Sequence, residues 1–174
     1  MIIFTIGHST RSLDELAALL RENGVQRLVD VRTVPRSRHN PQFNTDSLPA
    51  SLQQAGIGYT HLDALGGLRK THKDSVNMGW RNASFRGYAD YMQTQEFEHG
   101  LNALIETGDK ETAAIMCAEA VPWRCHRSLI ADALTVRGIE VRHIMGPGKW
   151  QPHKLTPFVR VAGRHITYPF ALEG

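Results

Sequence analysis

The chain has 174 residues, of which 20 are lysine or arginine and 17 are aspartate or glutamate, giving a formal net charge of +3. This length is most simply one domain, and it suffices for a hydrophobic core without disulfide or metal support. There is no run of about 18 apolar residues, so no membrane-spanning helix is predicted. Two cysteines without a secretory leader do not indicate a disulfide framework, and we therefore expect a reduced, cytoplasmic setting.

Apolar periodicity predicts strands that alternate with helices along most of the chain. We expect strands at residues 2–6, 27–32, 58–62, 113–117 and 139–144. We expect helices from the capping box at Ser12 to Gly24, and at residues 47–55, 88–105 with a break near Thr94, and 129–137. Strand–helix–strand units connect parallel strands through right-handed crossovers. The sequence thus predicts a single α/β domain over residues 1–174, with a mainly parallel five-stranded sheet flanked by helices.

Three segments fall outside this alternation. Residues 158–168 alternate around Ala162-Gly163, which predicts a β-hairpin tail at about residues 156–169. Residues 33–46 and 66–87 form long aperiodic loops, which in compact domains are usually functional or disordered. Aromatic residues in the second loop argue against disorder. The two loops together carry the basic residues Arg36, Arg38, Arg69, Lys70, Lys73, Arg81 and Arg86.

Parallel strands bring their carboxyl ends to one edge of the sheet, where ligands bind in open α/β folds. Asp30 and Arg32 lie on the same side of the second strand because side chains alternate with a period of two. They form either a structural ion pair that fixes the following loop or a carboxylate and a phosphate-binding guanidinium in the site. The polar residues expected to converge are His8, Ser9, Asp30, Arg32, Asp63, Gly66, Cys117, Glu119 and His143.

The loop after the fourth strand carries several candidate catalytic residues. Cys117 is a candidate nucleophile or a small buried hydrophobic residue, and Cys125 precedes a helix N-terminus that lowers thiol pKa values. Glu119 follows a strand end and suits acid–base work or stabilisation of a developing cation, with His8 or His126 as proton donor. The two cysteines and two histidines are suitable metal ligands without a recognised spacing, and we predict no metal or cofactor.

Basic and aromatic residues around this loop resemble a pattern used on nucleic acid, where cations hold phosphates and aromatic rings stack on bases. A solvated surface or a small anionic substrate is also compatible with it. Arg127 lies in a helical first turn, where the dipole disfavours a cation, and this indicates an anionic partner such as Glu119 or a phosphate. The predicted substrate contacts are Ser9, Arg32, Arg36, Arg38, Lys70, Trp80, Arg81, Arg86 and Arg127.

Several motifs in this order resemble the bacterial domain of unknown function family 488, over almost the whole chain. They are Thr5-Ile-Gly-His-Ser9, Leu28-Val-Asp-Val-Arg32 with Pro35 and Ser37, Leu65-Gly-Gly67, Cys117-x-Glu119, Cys125-His-Arg127 and Tyr168-Pro169. The resemblance implies an intracellular α/β domain with functional polar residues at these positions, and it implies no reaction.

A looser likeness is to rhodanese and cysteine-phosphatase domains, which share the Asp-x-Arg strand and a cysteine loop followed by Arg-Ser and a helix. Here the loop from Cys117 to Arg127-Ser128 is longer than their tight anion cradle. Glu119 within the loop would also repel a bound phosphate or persulfide. The likeness therefore points only weakly to sulfur transfer or phosphatase chemistry.

Three functions are compatible with these residues. The leading hypothesis is an enzyme acting on nucleic acid, most simply DNA, or on nucleotides, with N-glycosidic hydrolysis by Glu119 or Asp30 as its most concrete form. The second is a rhodanese-like or phosphatase-like cysteine enzyme using Cys117 or Cys125. The third is a nucleic-acid-binding module without chemistry, for which binding falls steeply with salt.

Overall fold

The computed structural model describes residues 1–170. Its strands are β1 Ile2–Gly7, β2 Arg27–Asp30, β3 Gly58–His61, β4 Ala113–Cys117, β5 Glu140–Gly146, β6 Lys149–Pro152, β7 Arg160–Ala162 and β8 His165–Thr167. Its α-helices are α1 Leu13–Glu22, α2 Leu48–Gln54, α3 Ala83–Tyr91, α4 Gln95–Lys110 and α5 Arg127–Thr135. Short 3-10 turns cover Pro41–Phe43, Asp63–Leu65 and Pro122–Arg124.

The strands form a six-stranded sheet in the order β3-β2-β4-β1-β5-β6, and β7 and β8 form a separate hairpin. The first five strands are parallel, and β6 runs antiparallel to β5 at one edge. The predicted α/β class, the mainly parallel sheet and the C-terminal hairpin are confirmed. The carboxyl ends of β2, β4 and β1 lie next to one another in the interior of the sheet, which places the loops that follow them together.

Two hydrophobic clusters cover the two faces of the sheet. On one face, Leu16 and Leu20 of α1 and Leu52 of α2 pack against Phe4 and Ile6. On the other face, α3, α4 and α5 pack against residues such as Ile3, Val29 and Ile115. The alternation within β1 follows the two-residue period of a strand. It directs Thr5, which is fully buried, to the α5 side of the sheet.

Helix starts follow the signals in the sequence. The capping box is formed, because the Ser12 hydroxyl accepts from the Glu15 N–H at 3.1 Å and the Glu15 carboxylate accepts from the Ser12 N–H at 3.0 Å. The break near Thr94 is also present, since α3 ends at Tyr91 and Thr94 caps α4. Helix α3 begins at Ala83, where Asn82 caps it, so the end of the predicted loop 66–87 is helical.

The prediction of five strands in the main sheet was one too few. The fifth strand was predicted over residues 139–144, and the Gly146-Pro-Gly148 stretch that follows turns the chain from β5 into β6, with Ile144 paired to Trp150. Gly148 has a φ of +66°, a conformation that glycine adopts without strain. All four residues of β6 are exposed, and Pro152 is tolerated there because an edge strand has one unpaired side.

The long segment before α3 is held by a buried carboxylate. Asp90 accepts hydrogen bonds from the His72 N–H at 2.9 Å, the Ser75 hydroxyl at 2.5 Å and the Asn77 amide at 2.8 Å. Burial opposes ionisation of Asp90, but these three donors outweigh it and lower the pKa of the carboxyl. The segment is therefore an ordered part of the fold, as its aromatic residues indicated.

Candidate functional site

Asp30 and Arg32 form a buried bidentate ion pair. The Arg32 guanidinium donates to both carboxylate oxygens of Asp30, at 2.9 and 2.7 Å, and to the carbonyl of Phe43 at 2.7 Å. The hydroxyl of Tyr59 donates to the same carboxylate at 2.6 Å, and burial together with this bond raises the pKa of Tyr59 to about 12. Asp30 is completely buried. These contacts match the structural interpretation, in which the pair fixes loop 33–46.

His8 and Ser9 connect the end of β1 to the loop after β4. Their backbone N–H groups donate to the carbonyls of Cys117 and Ala118, each at 2.9 Å. His8 Nδ1 lies 2.9 Å from the Ser9 carbonyl and Nε2 lies 3.4 Å from the Arg32 guanidinium, so Nδ1 carries the proton and Nε2 accepts. Burial lowers the pKa of His8, which is 1 % exposed. The ring is a neutral structural support beneath Arg32.

Above these supports lies a cavity of about 360 Å³, which we call the Cys117 cavity. Its wall combines cationic, apolar and reactive side chains from the loops after β2, β3 and β4 and from α3. The cations are Arg32, Arg36 and Arg124, and the apolar side chains include Val34, Leu68 and Phe85. The reactive side chains are Cys117, Glu119, Cys125 and His126. Of the nine residues predicted to converge, Arg32, Cys117 and Glu119 line this cavity.

The two buried thiols of the cavity differ in their tendency to ionise. The Cys117 thiol donates to the Glu119 carbonyl oxygen at 3.5 Å. Burial opposes ionisation of Cys117, but the neighbouring Cys125 and the charge of Arg127 outweigh it, so its pKa lies below the ordinary value. Burial and the neighbouring Cys117 sulfur raise the pKa of Cys125 well above the ordinary value. A thiolate is the reactive form of cysteine, and Cys117 is the more readily ionised thiol of the pair.

His126 is held in one tautomer. Its Nε2 lies 2.8 Å from the carbonyl oxygen of Val31, so Nε2 carries the proton and Nδ1 is left to accept, 3.5 Å from the Cys125 sulfur. Burial lowers the pKa of His126 to about 4. The ring is therefore neutral at physiological pH, and its one N–H is bound to backbone. This arrangement favours an accepting role near Cys125 over the predicted proton-donor role.

Glu119 is the exposed carboxylate of the cavity wall. Its Oε1 accepts from the Val121 backbone N–H at 3.3 Å, which orients the side chain within its own loop. The other predicted catalytic carboxylate, Asp30, lies buried beneath the cavity and is saturated with donors. Glu119 is thus the better placed of the two for contact with a substrate.

Arg127 is fully buried and organises the loop that carries Cys117 and Glu119. Its guanidinium donates to the backbone carbonyls of Glu119 and Ala120, both at 2.9 Å, and to the hydroxyl of Thr5 at 3.0 Å. The expected ionic contact with the Glu119 carboxylate is not formed, and a buried guanidinium is not available to a phosphate. The loop is therefore wrapped around a cation, unlike the anion cradles of phosphatases and rhodaneses.

A buried hydrogen-bond network continues from this guanidinium across the sheet. The Thr5 hydroxyl donates to His143 Nδ1 at 2.5 Å, and His143 Nε2 lies 2.9 Å from His153 Nδ1. His153 Nε2 then donates to the Asp132 carboxylate at 2.7 Å, to which the Tyr168 hydroxyl also donates at 2.8 Å. We call this chain the Thr5–Asp132 network. The sequence predicted His143 at the edge of the sheet but did not predict the other members of the network. The available signal was Asp132, a polar residue on the buried side of helix α5.

Several predicted substrate contacts lie outside the Cys117 cavity. Arg38, Lys70 and Arg81 are exposed on the basic loops. The Arg86 guanidinium lies 3.4 Å from the carbonyl of Arg81, and Trp80 packs against other aromatic rings. Of the predicted phosphate-binding cations, Arg32 and Arg36 line the cavity, together with Arg124, which was not predicted. Within residues 1–170, no group of three or more metal-ligating side chains is arranged to hold an ion.

The family model for the domain of unknown function DUF488 matches residues 12–134. The chain belongs to this family. The match is shorter than the resemblance expected over almost the whole chain, and it leaves out the Thr5–Ser9 and Tyr168-Pro169 motifs. The DUF488 region contains every residue of the Cys117 cavity, whereas β5, β6 and the hairpin lie beyond it.

No curated protein and no solved structure matched this DUF488 chain. No helix within residues 1–170 has the length and apolar character needed to cross a membrane. An assignment of function to this member of DUF488 therefore has to be argued from the geometry of its cavity.

Proposed function

We propose that the protein is an enzyme acting on a nucleotide-class substrate, with Cys117 as its nucleophile. The observation that carries this proposal is the position of Cys117 in the wall of an open cavity, with Cys125 beside it in the same wall. The surroundings, including the charge of the buried Arg127, lower the pKa of Cys117. Nucleophilic cysteines are recognised by this kind of environment, in which a neighbouring cation lowers the thiol pKa.

The cavity wall supports a substrate that carries phosphate. Arg36 and Arg124 line it beside Arg32, and guanidinium groups bind phosphate oxygens through paired N–H donors. Phe85 and Leu68 supply an apolar surface that suits the face of a base. Because the loop wraps around Arg127 and not around an anion, we assign the phosphate to these arginines and the thiolate attack to a carbon of the nucleoside part.

The proposed step forms a bond between Cys117 Sγ and an electrophilic carbon while the bond from that carbon to the leaving group breaks. The leaving group departs with the electron pair and takes a proton from solvent. Water then displaces the sulfur, with Glu119 accepting a proton from it, and the thiolate is regenerated. No oxidant or reductant is needed.

Alkylation kinetics test the nucleophile. The rate of Cys117 modification by iodoacetamide, followed by mass spectrometry from pH 5 to 10, reports the thiolate fraction. Replacing Cys125 with alanine removes the neighbouring thiol that lowers the pKa of Cys117, and a rise of about one pKa unit slows alkylation at pH 7 about tenfold, whereas Cys125→Ser keeps a polar neighbour and loses less. If Cys125→Ala and wild type react at equal rates at every pH, Cys117 is not activated by its neighbour.

A second candidate is N-glycosidic hydrolysis with Glu119 as the essential carboxylate. It is favoured by the exposed position of Glu119 in the same wall as Phe85 and the arginines, where a carboxylate can stabilise an oxocarbenium-like sugar. Incubation with modified and unmodified DNA and RNA, followed by mass spectrometry of released bases, separates the candidates. Cys117→Ser abolishes turnover under the first proposal and leaves it intact under the second, whereas Glu119→Gln impairs turnover under both.

A further inference from the structure

A second cavity, of about 790 Å³, lies on the other side of the loop that carries Cys125. We propose that this cavity is a base-binding subsite and that the substrate is single-stranded nucleic acid. The inference rests on the proposed function, since it takes the substrate to be of the nucleotide class. It adds that the substrate is a strand and not a mononucleotide.

The wall of this base subsite is aromatic. Trp80 and Phe158 lie with ring centroids 4.8 Å apart in an edge-to-face arrangement, and Trp123 stands 60 % exposed beside them. Pro122 and Leu155 extend the apolar surface. Every base has a π-face, so stacking on rings of this kind binds a strand with little dependence on its sequence.

The floor of the subsite is polar. His143 and His153 line it, and both belong to the Thr5–Asp132 network, which occupies their ring nitrogens. Burial, with the neighbouring His153 and Arg127, lowers the pKa of His143 to about 3, so this imidazole is neutral at physiological pH. A neutral imidazole suits a base, and the positive charge of Lys154 lies among the exposed residues of the lining, where a backbone phosphate would pass.

The base subsite and the Cys117 cavity share two walls. In the 3-10 turn Pro122–Arg124, Trp123 faces the subsite while Arg124 faces the Cys117 cavity. Trp80, which lines the subsite, also lies 5.0 Å from Phe85 of the Cys117 cavity, measured between ring centroids. A nucleotide held at Cys117 with its phosphate on Arg124 therefore has its next neighbour along the strand directed toward Trp123.

The charges of the two linings suit a polyanion. The charge of Arg32 is balanced by Asp30, and exposed Arg36 lies 3.9 Å from Asp46. Arg36, Arg124 and Lys154 are the exposed cations of the two linings, and Glu119 is the carboxylate of the linings. A mononucleotide in the Cys117 cavity would leave the larger, aromatic cavity empty. A strand fills both, with phosphates on the cations and successive bases in the two cavities.

The test uses the full chain with Cys117→Ser, so that binding is measured without turnover. A fluorescein-labelled single-stranded 12-mer is titrated and followed by fluorescence anisotropy, with DNA and RNA as separate arms. Trp123→Ala is expected to weaken binding about tenfold, the effect of losing one base–aromatic stack. The matched control is Trp150→Ala, since Trp150 is also exposed, at 44 %, but stacks under Arg142 outside the subsite. It is expected to change binding less than twofold.

Two further measurements make the inference refutable. A nucleoside monophosphate is expected to compete at least a hundredfold more weakly than the unlabelled 12-mer, and a 12-base-pair duplex is expected to compete more weakly than the single strand. Equal binding by the Trp123→Ala and Trp150→Ala variants, or equal competition by the monophosphate, overturns the subsite. Turnover of a single strand that is unchanged by Trp123→Ala overturns it too, while leaving the role of Cys117 intact. Strand binding that depends on Trp123 but yields no product with wild-type protein supports the subsite and refutes the proposed chemistry.

Discussion

Replacing Asp132 with asparagine tests the buried network that supports the site. Its carboxylate is fully buried and accepts four hydrogen bonds, from His153 Nε2 at 2.7 Å, the Thr156 N–H at 3.1 Å, the Thr156 hydroxyl at 2.7 Å and the Tyr168 hydroxyl at 2.8 Å. Asparagine keeps the shape of the aspartate side chain but has no charge. Its N–H₂ group would face two hydrogen-bond donors, so it could not accept from them. Charge-assisted bonds are about twice as strong as neutral ones, so the expected loss is about 3 kcal/mol in the free energy of unfolding.

Urea denaturation followed by circular dichroism measures this loss as a lower midpoint at an unchanged slope. The control is Asp109→Asn, because Asp109 is an exposed residue in the last turn of α4 and should change stability by less than about 0.5 kcal/mol. If Asp132→Asn is as stable as Asp109→Asn, the network does not hold an ionised carboxylate and the hydrogen-bond directions inferred from it are wrong.

Two further predictions concern pH and the fit of the loop. Burial depresses the pKa of His126 to about 4 and of His143 to about 3. Below about pH 6.5 the unfolded chain therefore binds protons that the native state excludes, and the free energy of unfolding should fall by about 4 kcal/mol from pH 7 to pH 5. A flat urea-midpoint profile over this range would contradict the burial of neutral imidazoles. Gly7→Ala places a Cβ 1.8 Å from the Glu119 carbonyl oxygen, whereas a Cβ at Gly146 meets nothing within 4 Å. Gly7→Ala should cost about 2 kcal/mol or more and slow Cys117 alkylation, while Gly146→Ala should do neither.

The sequence predicted the parallel strands because a strand buried on both faces is a continuous apolar run. In β4 all five residues are buried, and its bounds were predicted as they occur. Strand β6 has no such pattern, since all four of its residues are exposed and only its pairing with β5 makes it a strand. Pairing at an edge depends on a partner and a turn, which local periodicity does not contain.

The candidate site was predictable where topology alone decides position. Parallel strands place Arg32 and Cys117 at one edge of the sheet, whatever the orientation of their side chains. Both residues line the cavity. Direction of a side chain was not predictable. Asp30 lies at the same edge, but its carboxylate is occupied by hydrogen bonds from Arg32 and Tyr59. Arg124 lines the cavity because a 3-10 turn directs its side chain there.

The position of Arg127 explains why the loop after β4 carries an ionisable thiol. A buried guanidinium is costly, and carbonyl and hydroxyl acceptors bind both of its terminal nitrogens without neutralising its charge, while its Nε has no hydrogen-bond partner within residues 1–170. The Thr5–Asp132 network links the guanidinium by hydrogen bonds to the buried carboxylate of Asp132. Ionisation of Cys117 places a negative charge close to Arg127. By linkage, the interaction that lowers the pKa of Cys117 also stabilises the buried Arg127, so the folded loop and the reactive form of the cysteine favour each other. If Arg127 served only for packing, its charge would not be needed. A buried methionine at position 127 would fill the same space at a lower cost in free energy.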